Sequence, residues 1–227
     1  MPIFRCQSKY ERDLHRLGYT RVAGVDEVGR GSLFGPVFAA AVVLDPARAI
    51  RGLRDSKMLA PERRGELAVR IRARAVAFAV GAADVFEIER FNILQGARLA
   101  MRRAVEKLQP APDYLLVDAT TVDLPLPQRA LIHGDALSQC IAAASILAKV
   151  ERDGCMCRWH EVFPEYGLDH NKGYYTPDHI EALEKYGPTM LHRFSFEPVR
   201  NNCPFEVWSG YPESLQMELF GEAADEI

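Results

Sequence analysis

Four acids stand where the sequence pattern changes. Asp26 and Glu27 are neighbours after the apolar run Val22-Ala23-Gly24-Val25. Asp118 closes the run YLLVD, and Asp135 sits in HGD, just before a helical pattern. Singly, each has an ordinary structural use: Asp135 as a helix N-cap, Asp118 as a turn initiator. As a set, four carboxylates brought to one edge of a sheet repel one another unless positive charge lies between them. No His or Cys cluster accompanies them, so the fitting cations are hard and oxygen-loving, Mg²⁺ or Mn²⁺. Two such ions roughly 4 Å apart make a site for phosphodiester hydrolysis. Neighbouring acids can share a site only where a strand ends, because neighbours inside a strand face opposite ways. Gly29, Gly31 and Gly35 follow, with Arg30 between the first two, and they let the chain turn there.

The elements that must carry these acids follow from periodicity. Residues 21–27 and 36–44 read as two strands around the glycine-rich turn, the second apolar almost throughout, as in a strand buried on both faces. Residues 59–74 predict a helix with Pro61 in its first turn. Residues 75–83 predict a third strand. Leu94, Ala97, Met101, Val105 and Leu108 recur at helical spacing, and Pro110 and Pro112 end that helix. Residues 113–118 predict a fourth strand. A loop with Pro125 and Pro127 leads to HGD, a helix then runs from Leu137 to about Arg152, and a shorter one covers residues 177–186. The order predicts an α/β fold, a mixed sheet with helices on both faces.

On the helix after Asp135, Ser138, Ala142, Ser145, Lys149 and Arg152 form one polar stripe, opposite Ile141, Ala144, Ile146, Ala148 and Val150. Such a stripe serves an inward polar network or a phosphate-facing edge; for Arg152 a solvated face, paired with Glu151 or Asp153, is an equal reading. His170 and His179 have no metal-ligand spacing and read as surface or network histidines.

Composition sets the class. Hydrophobic residues make up 48% of the 227, enough for a packed core. The N-terminus shows no secretory pattern, and the longest apolar run, residues 37–44, is too short to span a bilayer. Five cysteines (Cys6, Cys140, Cys155, Cys157, Cys203) without C-x-x-C spacing predict reduced thiols in a cytoplasmic protein. The formal charge of −3 hides an asymmetry. Taken whole, it argues mildly against a nucleic-acid partner, but residues 204–227 hold six acids and no Lys or Arg, so the remainder is mildly basic, and local basic clusters rather than whole-chain charge set phosphate binding. The expected organisation is a domain over residues 1–203 and an acidic tail over 204–227.

VDEVGRG, DSKML, VDAT, GDALSQCIAAASILAKVERD and NKGYYT, in this order, resemble bacterial ribonuclease HII, and HRFSFEPV is similar to that family's closing motif. The resemblance extends over residues 10–201. It implies a ribonuclease H-like fold with a C-terminal helical segment. It also implies a divalent-metal endonuclease that hydrolyses RNA paired to DNA and cuts 5′ of ribonucleotides embedded in DNA, leaving 3′-hydroxyl and 5′-phosphate ends. The four acids would hold two ions, with Asp26 bridging both. Gly29, Arg30 and Gly31 would bring bare backbone to a 2′-hydroxyl. Lys57, Ser138 and Lys149 would contact the substrate strand, and Tyr174 would stack on the sugar beside the junction, with Tyr175 as the neighbouring alternative. The family often has His where this chain has Asn171. Two other readings remain: another two-metal nuclease of this fold, or a non-catalytic nucleic-acid-binding module. The protein is expected to act as a monomer away from membranes. In the tail, QMELF places Gln216, Leu219 and Phe220 as in peptides that dock on bacterial sliding clamps, against a plainer reading as a segment packed on the body.

Overall fold

A computed structural model describes residues 8–203. The elements, in order, are α1 (Lys9–Arg16), β1 (Val22–Val28), β2 (Val37–Val43), α2 (Pro61–Arg74), β3 (Ala77–Ala83), α3 (Val85–Glu106), β4 (Tyr114–Asp118), β5 (Gln128–Leu131), α4 (Gly134–Leu137), α5 (Gln139–Val162), α6 (Leu168–Asn171), α7 (Pro177–Tyr186) and α8 (Glu197–Arg200). The sheet order is β3-β2-β1-β4-β5. β2 lies antiparallel to both β1 and β3, whereas β4 is parallel to β1 and to β5. This is the mixed sheet the pattern predicts.

The chain divides into two compact units. The first takes residues up to Arg30, Val37–Ala83 and Ala97–Gly154, and so holds the whole sheet. Its main core packs Ala40 and Val42 of β2 with Leu67, Ala68 and Ile71 of α2 and the run Ala142-Ala143-Ala144 of α5. The small residues let a helix approach the sheet closely. A Cβ added to Gly24 of β1 would lie 2.0 Å from the carbonyl carbon of Cys140 in α5. Gly81 of β3 meets α3 in the same way, 2.2 Å from the Ala100 carbonyl oxygen. The second unit takes Gly31–Pro36, Asp84–Gly96 and the described residues from Cys155 onward. Its core gathers Leu33, Phe34, Met156, Tyr166, Leu168, Leu183, Phe194 and Val199.

Several elements differ from expectation. β5 is a strand where Pro125 and Pro127 suggested only loop; it is an edge strand, where a proline just before the pairing is tolerated. α5 runs ten residues beyond Arg152, because Met156, Trp159 and Phe163 extend its apolar contacts into the second core. α3 is interrupted at Asn92, whose φ is +70° and whose side chain accepts from the amides of Leu94 and Gln95, capping the second half. α1 has little apolar content, and Tyr10 and Leu14 anchor it against Val22 and Ile141. Asp135 is no N-cap: α4 already includes it, and Ser138 breaks the helix before α5 begins. The tail motif, with Gln216, Leu219 and Phe220, lies outside the described residues.

Gly24→Ala should cost more than about 3 kcal/mol in a urea melt, since the clash is with backbone that cannot rotate away. Gly31→Ala, where a Cβ meets nothing within 4 Å, should melt within about 0.5 kcal/mol of the parent. Equal midpoints for the two variants would contradict the packing described.

Candidate active site

The sheet brings the first three acids together by register. Val25 of β1 pairs with Val117 of β4, so Asp26 and Asp118 are the next residues on adjacent parallel strands. β1 does not end at the acids as expected. It stays paired with β2 through Glu27 and Val28, while its pairing with β4 stops at Val25 and Val117. The sheet therefore opens on the β4 side just where Asp26 and Glu27 lie. Along a strand, side chains alternate; Gly24 packs on α5, and Asp26, two residues on, accepts from Ser145 of the same helix. Glu27 takes Arg30, Nη1 to Oε1 3.2 Å.

The fourth acid is tied in by backbone. Gly134 donates its amide to Asp118 Oδ1 at 2.7 Å, and Asp135 follows directly. A Cβ on Gly134 would stand 3.1 Å from that same oxygen and 2.6 Å from Ile141 Cδ1, so the close approach depends on glycine. Asp26 is held by short links: the Glu27 amide donates to its Oδ1 at 2.8 Å, and Ser145, which also donates to it, is joined to Ser56 at 2.8 Å between hydroxyls.

The electrostatics are those of crowded like charges. Burial pushes Asp26 well above the usual carboxylate range, and Glu27, Asp118 and Asp135 push it further. Burial also raises Glu27, with Arg30 opposing and Asp118 adding. Asp135 is pushed up to about 6 by burial, then by Asp55 and Asp118, with Lys57 opposing. The positive charge nearby does not balance this. The Arg30 side chain is 49% exposed, and ion pairs of that kind contribute about 0–1 kcal/mol. Partial burial works against the charge on Lys57, but Asp55, Asp135, Asp26 and Asp118 outweigh it and raise its pKa. Among the described residues no group of three or more His, Cys, Asp or Glu side chains is drawn together as a ready cation cage. Burial first, and neighbouring acids after it, raise the proton affinities of Asp26, Glu27 and Asp135, and a divalent cation would offset both. The donors are carboxylate oxygens without thiol or imidazole, which suits Mg²⁺ or Mn²⁺.

The other expected contacts divide. Gly29 has φ +94°, and a Cβ there would lie 2.2 Å from Arg152 Nε, so glycine is required twice over. Arg152 is fully buried against this turn, which overturns its reading as a solvated residue. Glu151 pairs instead with Arg72, and Asp153 with Lys149 at 2.7 Å and Arg64 at 3.6 Å. Lys149 thus begins in an ion pair. Ser138 is also fully buried and donates to Glu11 Oε1 at 2.7 Å, so its hydroxyl belongs to the α1–α5 packing and offers a ligand no surface. In the second unit, Tyr174 is half-buried and Tyr175 is 63% exposed. Asp55 and Ser145 are site residues that sequence reasoning left out. Asp55 stood in the same DSK motif as Lys57, and Ser145 stood in the polar stripe.

Comparison with known proteins identifies the family and the fold. A family model described as Ribonuclease HII matches residues 23–199. A protein named Ribonuclease HII from Solibacter usitatus is 57% identical over 220 residues, covering 97% of this chain and 95% of its own. The crystal structure of ribonuclease H2 from Pyrococcus horikoshii has a TM-score of 0.69 at 26% identity, over 85% of this chain and 100% of that one. The ribonuclease HII of a PCNA:RNase HII complex from Archaeoglobus fulgidus has a TM-score of 0.67 at 27% identity, over 78% of this chain and 96% of that one.

A pH-dependent stability follows from Asp135. Its folded-state pKa is raised, so protonation stabilises the fold, and this contribution is lost as pH rises through about 6. Without metal, Asp135→Asn should therefore raise the thermal midpoint at pH 7.5 by more than it does at pH 5. The same gain at both pH values in calorimetry would show that Asp135 is not under electrostatic load.

Proposed function

The chain belongs to the ribonuclease HII family, and on that premise we propose how its own residues perform the reaction. It is a metal-dependent ribonuclease H, an endonuclease that hydrolyses the RNA strand of RNA–DNA hybrids. We infer that it also cuts DNA duplexes on the 5′ side of an embedded ribonucleotide, leaving 3′-hydroxyl and 5′-phosphate ends. The observation that carries the reading is adjacency: Asp26 and Asp118 follow paired residues on neighbouring strands, Glu27 adjoins Asp26, and Asp135 follows Gly134, whose amide is bonded to Asp118, with proton affinities raised in three of the four.

Asp26, Glu27, Asp118 and Asp135 would hold two ions, Mg²⁺ or Mn²⁺. Bound there, the ions supply an activated water and stabilise the charge that develops on the leaving oxygen. Ser145 and the Glu27 amide orient Asp26, and Gly134 orients Asp118. Lys57, already drawn toward the acids, neutralises the phosphate that enters beside them. Lys149 reaches the strand only by leaving Asp153. Gly29, Arg30 and Gly31 read the 2′-hydroxyl through backbone, a role supported by the open space around Gly31. Tyr174 stacks on the sugar. The protein works in the cytoplasm as a monomer. Among the described residues no helix is long and apolar enough to cross a membrane. The A. fulgidus complex with PCNA supports a clamp partner here as well, reached through Gln216, Leu219 and Phe220 in the tail.

Asp26→Asn and Asp118→Asn should each lower cleavage by more than about a hundredfold in Mg²⁺ while the protein stays folded. Near-normal cutting by either would remove the two-ion assignment. Tyr174→Ala should reduce cutting at a single ribonucleotide more than it weakens duplex binding, which rests on phosphate contacts. Full-length protein should bind a bacterial sliding clamp, and Leu219→Ala/Phe220→Ala should abolish that; a double variant that binds equally well would remove the tail from the account.

A further inference from the structure

Beneath Tyr174 lies a buried pair of imidazoles that the reaction above does not use. His179 and His192 are both fully buried in the second unit. Their Nε2 atoms are 3.2 Å apart. His179 Nδ1 lies 2.9 Å from the carbonyl oxygen of Tyr174. His192 Nδ1 lies 2.9 Å from the backbone nitrogen of Thr189 and 3.0 Å from its hydroxyl.

The two ends fix every proton in this chain. The Thr189 amide can only donate, so His192 Nδ1 accepts and carries no proton. The Tyr174 carbonyl can only accept, so His179 Nδ1 carries one. With both rings neutral, His192 then donates from Nε2 to the bare Nε2 of His179. The hydrogen bonds run in one direction, from Thr189 through His192 and His179 to Tyr174. A proton added to either ring would set two N–H groups against each other. Burial opposes that event: it holds His192 down to about 3, with His179 adding, and it also lowers His179. The His192 ring is held in place, since it packs on Tyr166 at 4.8 Å and on Phe34 at 4.9 Å between centroids.

The relay ends on a crowded backbone. The Tyr174 amide donates to the Asn171 carbonyl at 3.1 Å. Leu33 donates its amide to the Gly173 carbonyl at 2.8 Å, and the Ser32 hydroxyl reaches the same oxygen at 2.8 Å. The segment that begins at Gly31 and the segment that carries Tyr174 thus share one network in this unit, and Ser32 and Tyr174 form a backbone bridge.

We propose that His179 and His192 are positioning residues for ribonucleotide recognition: a neutral two-imidazole relay that fixes the Tyr174 backbone, and with it the ring that meets the sugar. This rests on the sugar-stacking role of Tyr174 given above. Neither histidine touches substrate. Their part is to hold a contact whose displacement by about 1 Å can cost a hundredfold in rate.

Asparagine and glutamine separate the two links, because the Asn amide overlays Nδ1 of an imidazole and the Gln amide overlays Nε2. His179→Asn keeps the donor to Tyr174 and loses His192; His179→Gln does the reverse; His179→Phe keeps only the bulk. In full-length protein, cleavage of a duplex with one ribonucleotide should fall at least about tenfold in kcat for the Phe and Gln variants, with duplex Kd within about twofold. The Asn variant should stay within about threefold of the parent. Equal kcat for the Asn and Phe variants, or a Phe variant that cuts like the parent, would overturn the proposal. Amide hydrogen exchange across residues 173–176 gives a readout independent of the tyrosine's role. It should quicken in the Phe and Gln variants and not in the Asn variant, and unchanged exchange in the Phe variant would also overturn the relay. If Tyr174→Ala cuts normally while exchange still responds to His179→Phe, the stacking role falls and the relay stands.

Discussion

Repulsion among four carboxylates is the constraint around which the rest of this structure is arranged. β1 and β4 run parallel and in register, so Asp26 and Asp118 stand side by side at the point where their pairing stops. Gly134 then delivers Asp135 to the same edge. Burial raises the cost of charge on Asp26, Glu27 and Asp135, and the two nearest cations do not balance it. Arg30 is half exposed, and Lys57 is shared among four acids. A site of this kind would be destabilising alone and would favour hard divalent cations, because charge neutralisation would offset the free energy spent in placing the acids together.

Glycine makes the gathering possible. Gly24 lets α5 lie directly on β1, which brings Ser145 within reach of Asp26 on the same face. Gly134 lets backbone touch the Asp118 carboxylate. Gly29 turns the chain over the buried Arg152 at a φ that side chains resist. Each of these close approaches uses a missing Cβ to place a polar group, so the edge that carries the acids and the tight core beneath it are one feature. In the second unit the same logic uses side chains. Arg193, fully buried, donates twice to the Gly35 carbonyl, and the imidazole pair supports Tyr174.

Much of this was legible in residue order. The acids, the glycine turn and the alternation of strand and helix are local patterns, and the motifs marked Lys57 and Tyr174. What was hidden depends on long-range contact. β5 is a four-residue edge strand whose prolines mask it, and its identity comes from pairing with β4. Ser138 shared a stripe with Ser145, but one hydroxyl faces Glu11 and the other Asp26, a difference that periodicity cannot express. Arg152 reads as a surface residue until the turn at Gly29 is seen to cover it. His179 read only as a surface or network histidine, because its partner is thirteen residues away and the direction of donation is set by contacts that spacing does not show.

The central claim is that the four acids are held together against their own repulsion and are relieved by divalent cations. Thermal unfolding of the parent and of Asp26→Asn, each with and without Mn²⁺, tests it most directly. The account predicts that the metal-free variant melts above the metal-free parent, and that Mn²⁺ raises the parent's midpoint while leaving the variant's nearly unchanged. A variant that melts below the parent without metal, or a parent indifferent to Mn²⁺, would contradict it.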